Sequence, residues 1–210
     1  MDGIGKEHTA PGIDEHTIDP DPIAQFRKWF EDASNAHILQ PEAMTLATVS
    51  EQGRPSARIV LLKEVDARGF VFFTNYRSRK GKELAANPHA ALVFHWPALK
   101  RQVRVEGVVE KVSPEESDAY FKSRIRESQI GAHASPQSEV VESRLVLDRR
   151  YEEVAREFAG GLVTRPRNWG GFRLNPERIE FWISGVARLH DRVLYERTSD
   201  RGWRKSRLAP

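Results

Sequence analysis

Four groups of residues have types and spacing that could bind or transform a small anionic molecule. Arg58-Ile59-Val60-Leu61-Leu62-Lys63 is an apolar run with a cation at each end, and strand alternation predicts Arg58 and Lys63 on opposite faces. Asn75-Tyr76-Arg77-Ser78-Arg79-Lys80-Gly81, followed by Lys82, gathers four cations around an expected helix start. Cations are unfavourable at a helix N-terminus unless an anion shares the site, so this cluster points to a bound phosphate, which arginine can chelate through two parallel bonds. In Arg188-Leu189-His190-Asp191-Arg192 an extended backbone would put Arg188, His190 and Arg192 on one face. Two guanidinium groups flanking an imidazole would repel one another without an anion between them. Tyr120 and Arg124 are four residues apart, the spacing of one helical face, with Ser128 just beyond. Each group also has a plain structural reading: a buried strand with solvated ends, a solvated charge run, an edge strand with outward charges, or an arginine stem packed on a ring.

Several chemistries are excluded. The chain has 210 residues and no cysteine, which removes disulfides, thiolate metal sites, iron–sulfur clusters and cysteine nucleophiles. It carries no phosphate-binding Gly-x-x-x-x-Gly-Lys loop, no Gly-x-Gly-x-x-Gly dinucleotide turn, no His-Glu-x-x-His and no Gly-x-Ser-x-Gly. A nucleotide cofactor would therefore be held outside a Rossmann fold. The formal charge of +3 comes from 33 basic residues mixed with 30 acidic ones, an excess that suits small anionic ligands. No helix-turn-helix, zinc-finger or aromatic RNA-binding signature is present, so no nucleic-acid partner is expected. With neither a signal-peptide pattern nor an apolar run of about 18 residues, a soluble, cytoplasmic protein without a membrane partner is expected.

The elements that must position these residues are short. Residues 1–20 are polar and aperiodic and are expected to form a flexible arm, ahead of a single domain over residues 21–210. Asp21-Pro22 reads as a cap and first turn for a helix running to about Ala36, with Ile23, Phe26, Phe30 and Ala33 at helical spacing. From Met44, short β-rich runs alternate with turn compositions and predict consecutive antiparallel strands. Ser113-Pro114-Glu115-Glu116 has capping-box order and predicts a helix carrying Tyr120. The stretch from Ser128 to Ser143 reads as loop and helix start, and Asp148–Ala159 as an amphipathic helix with Tyr151, Val154 and Phe158 inward. Further strands follow at GGFRL, RIEFWIS, RVLYERT and GWRKSRL. The expected fold is mainly β with accessory helices, a closed or partly open antiparallel barrel of Greek-key type.

Taken together and in order, RIVLLK, TNYRSRKG, RQVRVEG, KSRIRESQIGA, PQS, WGGFRL, IEFW and RLHDR closely resemble the pyridoxine/pyridoxamine 5'-phosphate oxidase family, over roughly Asp21 to Pro210. The resemblance implies an FMN-binding split β-barrel and a homodimer with FMN at the subunit interface. It implies FMN contacts at Arg58, Ile59, Val60, Leu61, Leu62, Lys63, Phe73, Thr74, Arg79, Lys80, Gln102, Gln137, Ser138, Trp182 and Arg192. Substrate contacts would fall on Lys63, Tyr120, Arg124, Ser128, Arg188, Leu189 and His190, with Arg188 and His190 as the catalytic pair over the pyridine ring. Two phosphate-bearing ligands would account for the basic clusters.

The implied chemistry is oxidation of pyridoxine or pyridoxamine 5'-phosphate at C4' to pyridoxal 5'-phosphate by way of FMN, with O2 consumed, H2O2 released and no metal needed. Two rival readings are a flavin oxidase of phenazine biosynthesis and a non-catalytic flavin, haem or pyridoxal-phosphate binding module. The Tyr120, Arg124, Ser128 and Arg188-Leu189-His190 set argues against the first. The chain departs from the family pattern before Asp21, where an arginine-rich covering segment is missing, and at His133 and Pro136.

Overall fold

The fold was analysed in a computed structural model, which describes residues 12–210. The Asp21 carboxylate accepts the Ile23 N–H at 2.9 Å and Pro22 occupies the first turn. These two features start α1 (Pro22–Asn35) where the sequence predicts. Among the described residues, the strands are β1 (Ala43–Val49), β2 (Pro55–Leu61), β3 (Glu64–Asp66), β4 (Gly69–Asn75), β5 (His89–Trp96), β6 (Arg101–Lys111), β7 (Trp169–Ile183), β8 (Asp191–Arg197) and β9 (Trp203–Arg207). They form one antiparallel sheet in the order β2-β1-β5-β6-β7-β4-β3, with β8 added to β7 and β9 to β8. The sheet curls into a half-barrel, and the buried face of α1 fills its interior. Phe26 sits 4.9 Å from Phe70 and 4.8 Å from Phe94, ring centre to ring centre, the spacing at which aromatic pairs attract beyond simple burial.

β7 corrects the expectation of two separate runs: it is one strand of 15 residues. Its first part, Trp169–Leu174, pairs with β4, and its last part, Arg178–Ile183, pairs with β8. The transition falls at Pro176, which stands opposite Gly107 where β6 shifts register. A bulge is where a strand tolerates a proline, since no ladder bond is required of it. A Cβ on Gly107 would lie 2.0 Å from the Asn175 carbonyl oxygen, so only glycine allows this approach.

Five helices accompany the sheet among the described residues. α2 (Arg79–Ala86) is capped by Ser78, and α3 (Pro114–Ser123) has the predicted capping box of Ser113 and Glu116. Such a cap contributes about 1 kcal/mol. Glu116 also accepts from the buried Arg173 of β7 at 3.0 Å, which ties the start of α3 to the sheet. α4 (Arg126–Ala134) occupies part of the stretch expected to be loop; its cap, Ile125, makes no side-chain capping bond, so no local signal marked its start. α5 (Arg144–Glu157) begins four residues before Asp148. Its Tyr151 and Val154, with Phe158, pack inward as expected, against a second small core of Phe121, Ile130, Val163 and Trp169.

The first eleven residues of the expected arm lie outside the described residues. Those that follow are attached, contrary to the expectation of a flexible arm through residue 20. Ile18 is buried, Tyr195 Oη donates to the Asp19 carbonyl at 2.6 Å, and Arg207 pairs with Glu15 and donates to the Ile13 carbonyl. Among the described residues, no helix is long and apolar enough to cross a membrane.

Candidate active site

A cavity of about 520 Å³ opens where β2, β4, α2, the end of α3, α4 and the start of β7 meet. Of the residues singled out from the sequence, Ile59, Val60, Leu61, Lys63, Phe73, Thr74, Lys80, Tyr120, Arg124, Ser128 and Gln137 line it. Three cations, Lys63, Lys80 and Arg124, face the space and no carboxylate does. Like charges gathered around one opening without a facing carboxylate repel one another, so the cavity is electrostatically prepared for an anion.

The elements place these cations in distinct ways. β2 ends at Leu61, so strand alternation does not relate Arg58 to Lys63; Lys63 follows the strand and hydrogen-bonds through its N–H to the Val71 carbonyl. Lys80 is buried in the first turn of α2, where its ammonium donates to Thr74 Oγ1 at 3.3 Å and to Gln137 Oε1 at 3.4 Å. Burial, helped by the nearby Arg58, pushes the Lys80 pKa down, against a weaker pull from Glu83. An anion in the cavity would offset that cost.

Arg58 does not line the cavity. Its guanidinium donates to Thr48 Oγ1 at 2.6 Å and to the Leu46 carbonyl at 3.2 Å, and pairs with Glu83 at 3.2 Å. The buried Glu83 carboxylate also accepts from Thr48, from Ser56 at 2.7 Å and from Arg79 at 2.9 Å. Burial alone would raise its pKa, but these hydrogen bonds outweigh burial and bring it down to about 2. Leu62 is buried beside the cavity, and Ser138 is exposed with φ +72° and does not line it.

Tyr120 and Arg124 both reach the cavity, although not from one helical face as the spacing implied. α3 ends at Ser123, Arg124 is its extended cap, and Ser128 belongs to α4. The wall they complete is aromatic. Phe73 stacks on Tyr120 at 3.9 Å and lies 5.5 Å from Trp169, with ring planes within 19° and 13°. Trp169, which sequence reasoning left out of the site, carries Arg124 over its ring at 4.7 Å. Its signal was the glycine pair behind it: a Cβ on Gly170 would meet Tyr76 Oη at 2.1 Å, and one on Gly171 would meet Phe73 at 2.8 Å. Paired glycines inside a strand pattern mark such close approach.

Gln102, Trp182, Arg188, Leu189, His190 and Arg192 do not line this cavity. Gln102 pairs with Trp182 and Trp182 with Arg192 across β6, β7 and β8, which makes one row. The expectation that Arg188, His190 and Arg192 share a strand face is corrected. β8 begins only at Asp191, and Val186–Arg188 form a 3-10 turn in which Ala187 and Arg188 have φ of +53° and +65°. Two successive non-glycine residues in the left-handed region store roughly 1–3 kcal/mol each, a cost found at functional sites. Arg192 is occupied by Glu180, at 2.8 and 3.1 Å. Arg188 makes no hydrogen bond or ion pair through its side chain among the described residues and is exposed. His190 Nδ1 lies 3.1 Å from the Gly185 N–H, and its ring packs on Trp182 at 4.7 Å. That bond requires a lone pair on Nδ1, so the neutral ring carries its proton on Nε2.

Comparison with known proteins shows the family of the chain. Residues 30–157 match the family described as pyridoxamine 5'-phosphate oxidase, and residues 169–210 the pyridoxine 5'-phosphate oxidase C-terminal dimerisation region. A pyridoxine/pyridoxamine 5'-phosphate oxidase of Ralstonia nicotianae is 57% identical, covering 99% of this chain and 97% of the relative. One from Rubrobacter xylanophilus is 56% identical, covering 99% of this chain and 95% of the relative. Among solved structures, PhzG from Burkholderia lata, in complex with tetrahydrophenazine-1-carboxylic acid, superimposes with a TM-score of 0.90 at 29% identity, covering 96% of this chain and 98% of that one. A pyridoxamine 5'-phosphate oxidase-related, FMN-binding protein of Nostoc punctiforme shares the fold, with a TM-score of 0.73 at 16% identity over 91% of this chain and all of that one. Matched by family over both segments and by relatives over nearly its whole length, the chain belongs to the pyridoxine/pyridoxamine 5'-phosphate oxidase family.

Proposed function

We propose that this protein oxidises pyridoxamine 5'-phosphate and pyridoxine 5'-phosphate to pyridoxal 5'-phosphate, using FMN and O2, in a homodimer whose two sites each draw residues from both copies. The observation that carries the reading is the cavity with three cations and no carboxylate, in which a buried Arg124 Nη1 lacks a hydrogen-bond partner among the described residues. A phosphate monoester satisfies that group and the charge around it.

The same residues fit FMN. Lys80, Thr74 and Gln137, together with Arg58 and Arg79 anchored on Glu83, would hold its phosphate and ribityl chain, and β2 residues 59–62 would border it. When bound, FMN supplies the acceptor for a hydride equivalent from the substrate's C4' and is reoxidised by O2 with release of H2O2. The chain's own work is binding and orientation. Lys63, Tyr120, Arg124 and Ser128 would fix the substrate phosphate, which holds C4' in place for transfer.

Arg188 and His190 lie outside the cavity of their own chain, within the region matched as a dimerisation segment. The exposed Val186 and Leu189 beside them, at 55% and 71%, are what a subunit contact would cover. A second copy would bring Arg188 over the substrate ring and present His190 Nε2–H to the amine or hydroxyl on C4'. Gln102, Trp182 and Arg192 would arrive on the same row.

The test is to load the purified protein with FMN and add pyridoxamine 5'-phosphate in air. Aldehyde and H2O2 should form in equal amounts. Bound FMN with no aldehyde would overturn the reading in favour of a phenazine-type oxidase or a binding module.

A further inference from the structure

Arg124 differs from the other arginines packed into the structure. Arg58 is paired with Glu83, Arg173 with Glu116 and Arg192 with Glu180. Arg124 makes no ion pair among the described residues, and its Nη1 is buried without a hydrogen-bond partner, whereas Arg173 Nη1, which also lacks one, lies 2.6 Å from the Asp66 carboxylate. What supports it is an aromatic surface, with the guanidinium carbon 4.7 Å from the Trp169 ring centre and 5.8 Å from that of Phe121.

Trp169 is itself packed in place. It is 7% exposed, and its ring is nearly parallel to that of Tyr120, 6.1 Å away. Its carbonyl accepts from Arg165 Nη1 at 2.7 Å, while Arg165 Nε donates at 2.7 Å to Asp118 on α3. One arginine thus fastens the start of β7 to the helix that carries Tyr120. A carboxylate beside Arg124 would fix it equally well, but would cancel its charge and compete for its N–H groups. An indole face attracts the guanidinium without neutralising it.

We propose that Trp169 is the positioning residue for Arg124, seating its guanidinium on an aromatic face so that its charge and free Nη1–H serve the phosphate monoester of the substrate. This rests on reading the cavity as the substrate-phosphate site. It assigns part of the selectivity for phosphorylated ligands to a residue that need not touch them.

The test uses FMN-loaded, full-length protein and calorimetric binding of pyridoxal 5'-phosphate and of pyridoxal, with inorganic phosphate as competitor. Trp169→Leu should weaken pyridoxal 5'-phosphate about tenfold, the scale of a desolvated cation–π contact. Inorganic phosphate should weaken in step, while pyridoxal should lose markedly less. Trp169→Phe, which keeps an aromatic face, should restore binding to within about threefold. In an Arg124→Ala background, Trp169→Leu should cost nothing further, because the two act as one unit.

Unchanged affinity in Trp169→Leu, equal losses for pyridoxal and its phosphate, or a full additional loss in the double variant would each overturn the proposal. If Trp169→Leu does not retain FMN, the same cycle is run with Trp169→Phe. Its smaller loss must then vanish in the Arg124→Ala background, and persistence there overturns the proposal. Absence of pyridoxamine 5'-phosphate turnover by the unmodified protein would sink the oxidase reading instead, leaving these binding ratios to decide the role of Trp169.

Discussion

Arg188→Ala is expected to lower turnover of pyridoxamine 5'-phosphate by about 100-fold or more, the scale of losing alignment at a reacting centre, while leaving FMN content and unfolding free energy unchanged. The asymmetry follows from its surroundings. Arg188 is exposed, and its side chain makes no hydrogen bond or ion pair among the described residues, so its removal breaks no polar contact within the fold. It nevertheless occupies a turn with φ of +65°, next to Ala187 at +53°. Strain of this kind persists where the position matters more than its cost. Arg188→Lys should recover little activity, because an ammonium cannot reproduce the planar fork of the guanidinium. The check is steady-state kinetics beside a visible spectrum and a urea titration. Full activity in Arg188→Ala, or a loss of stability matching the loss of rate, would remove Arg188 from the reaction.

The largest stability effect is expected at Glu83. Its carboxylate sits under hydrogen bonds from Thr48, Ser56, Arg79 and Arg58, and its pKa falls from 4.5 to about 2. A carboxyl group whose pKa is lower in the folded chain stabilises the fold fully above its unfolded value and loses that contribution as pH falls through the folded one. The contribution is about 3 kcal/mol, present above pH 4.5 and lost progressively towards pH 2. Glu83→Gln removes the charge, keeps the shape and leaves Arg58 against an amide. It should cost about 3 kcal/mol at neutral pH, within the range for breaking a buried pair by removing one partner. Unfolding titrations at neutral pH and through the acid range check both statements. The variant should lose less stability than the unmodified protein between pH 4.5 and 2; an unchanged midpoint and an unchanged acid slope would contradict the assignment.

The legible parts of the sequence were those set by local chemistry. The Asp21 cap and the Ser113–Glu116 box announce α1 and α3 because each motif satisfies its own backbone groups within one turn. Lys63, Lys80, Tyr120, Arg124 and Ser128, all singled out from the sequence, line one cavity. Residues that act through distant partners were not legible. Glu83, in the run Lys-Glu-Leu-Ala-Ala, reads as a solvated helix charge, yet it is buried against Thr48 of β1 and Ser56 of β2. The Arg188 segment reads as a strand from its neighbours, because period two cannot register the left-handed turn that Gly185 permits by packing against the Leu189 carbonyl. Nor could spacing show that Arg188 lies apart from the cavity of its own chain.

That separation makes mixing two inactive variants the most direct test of a site shared between copies. Arg124→Ala and Arg188→Ala proteins are each purified, unfolded together and refolded with FMN, and assayed with pyridoxamine 5'-phosphate. If the cavity of one copy works with the Arg188 loop of the other, each mixed dimer regains one intact site. Random pairing then restores about a quarter of the unmodified activity. If each site were built from a single chain, every site would keep one defect, and the mixture would stay as inactive as its parents.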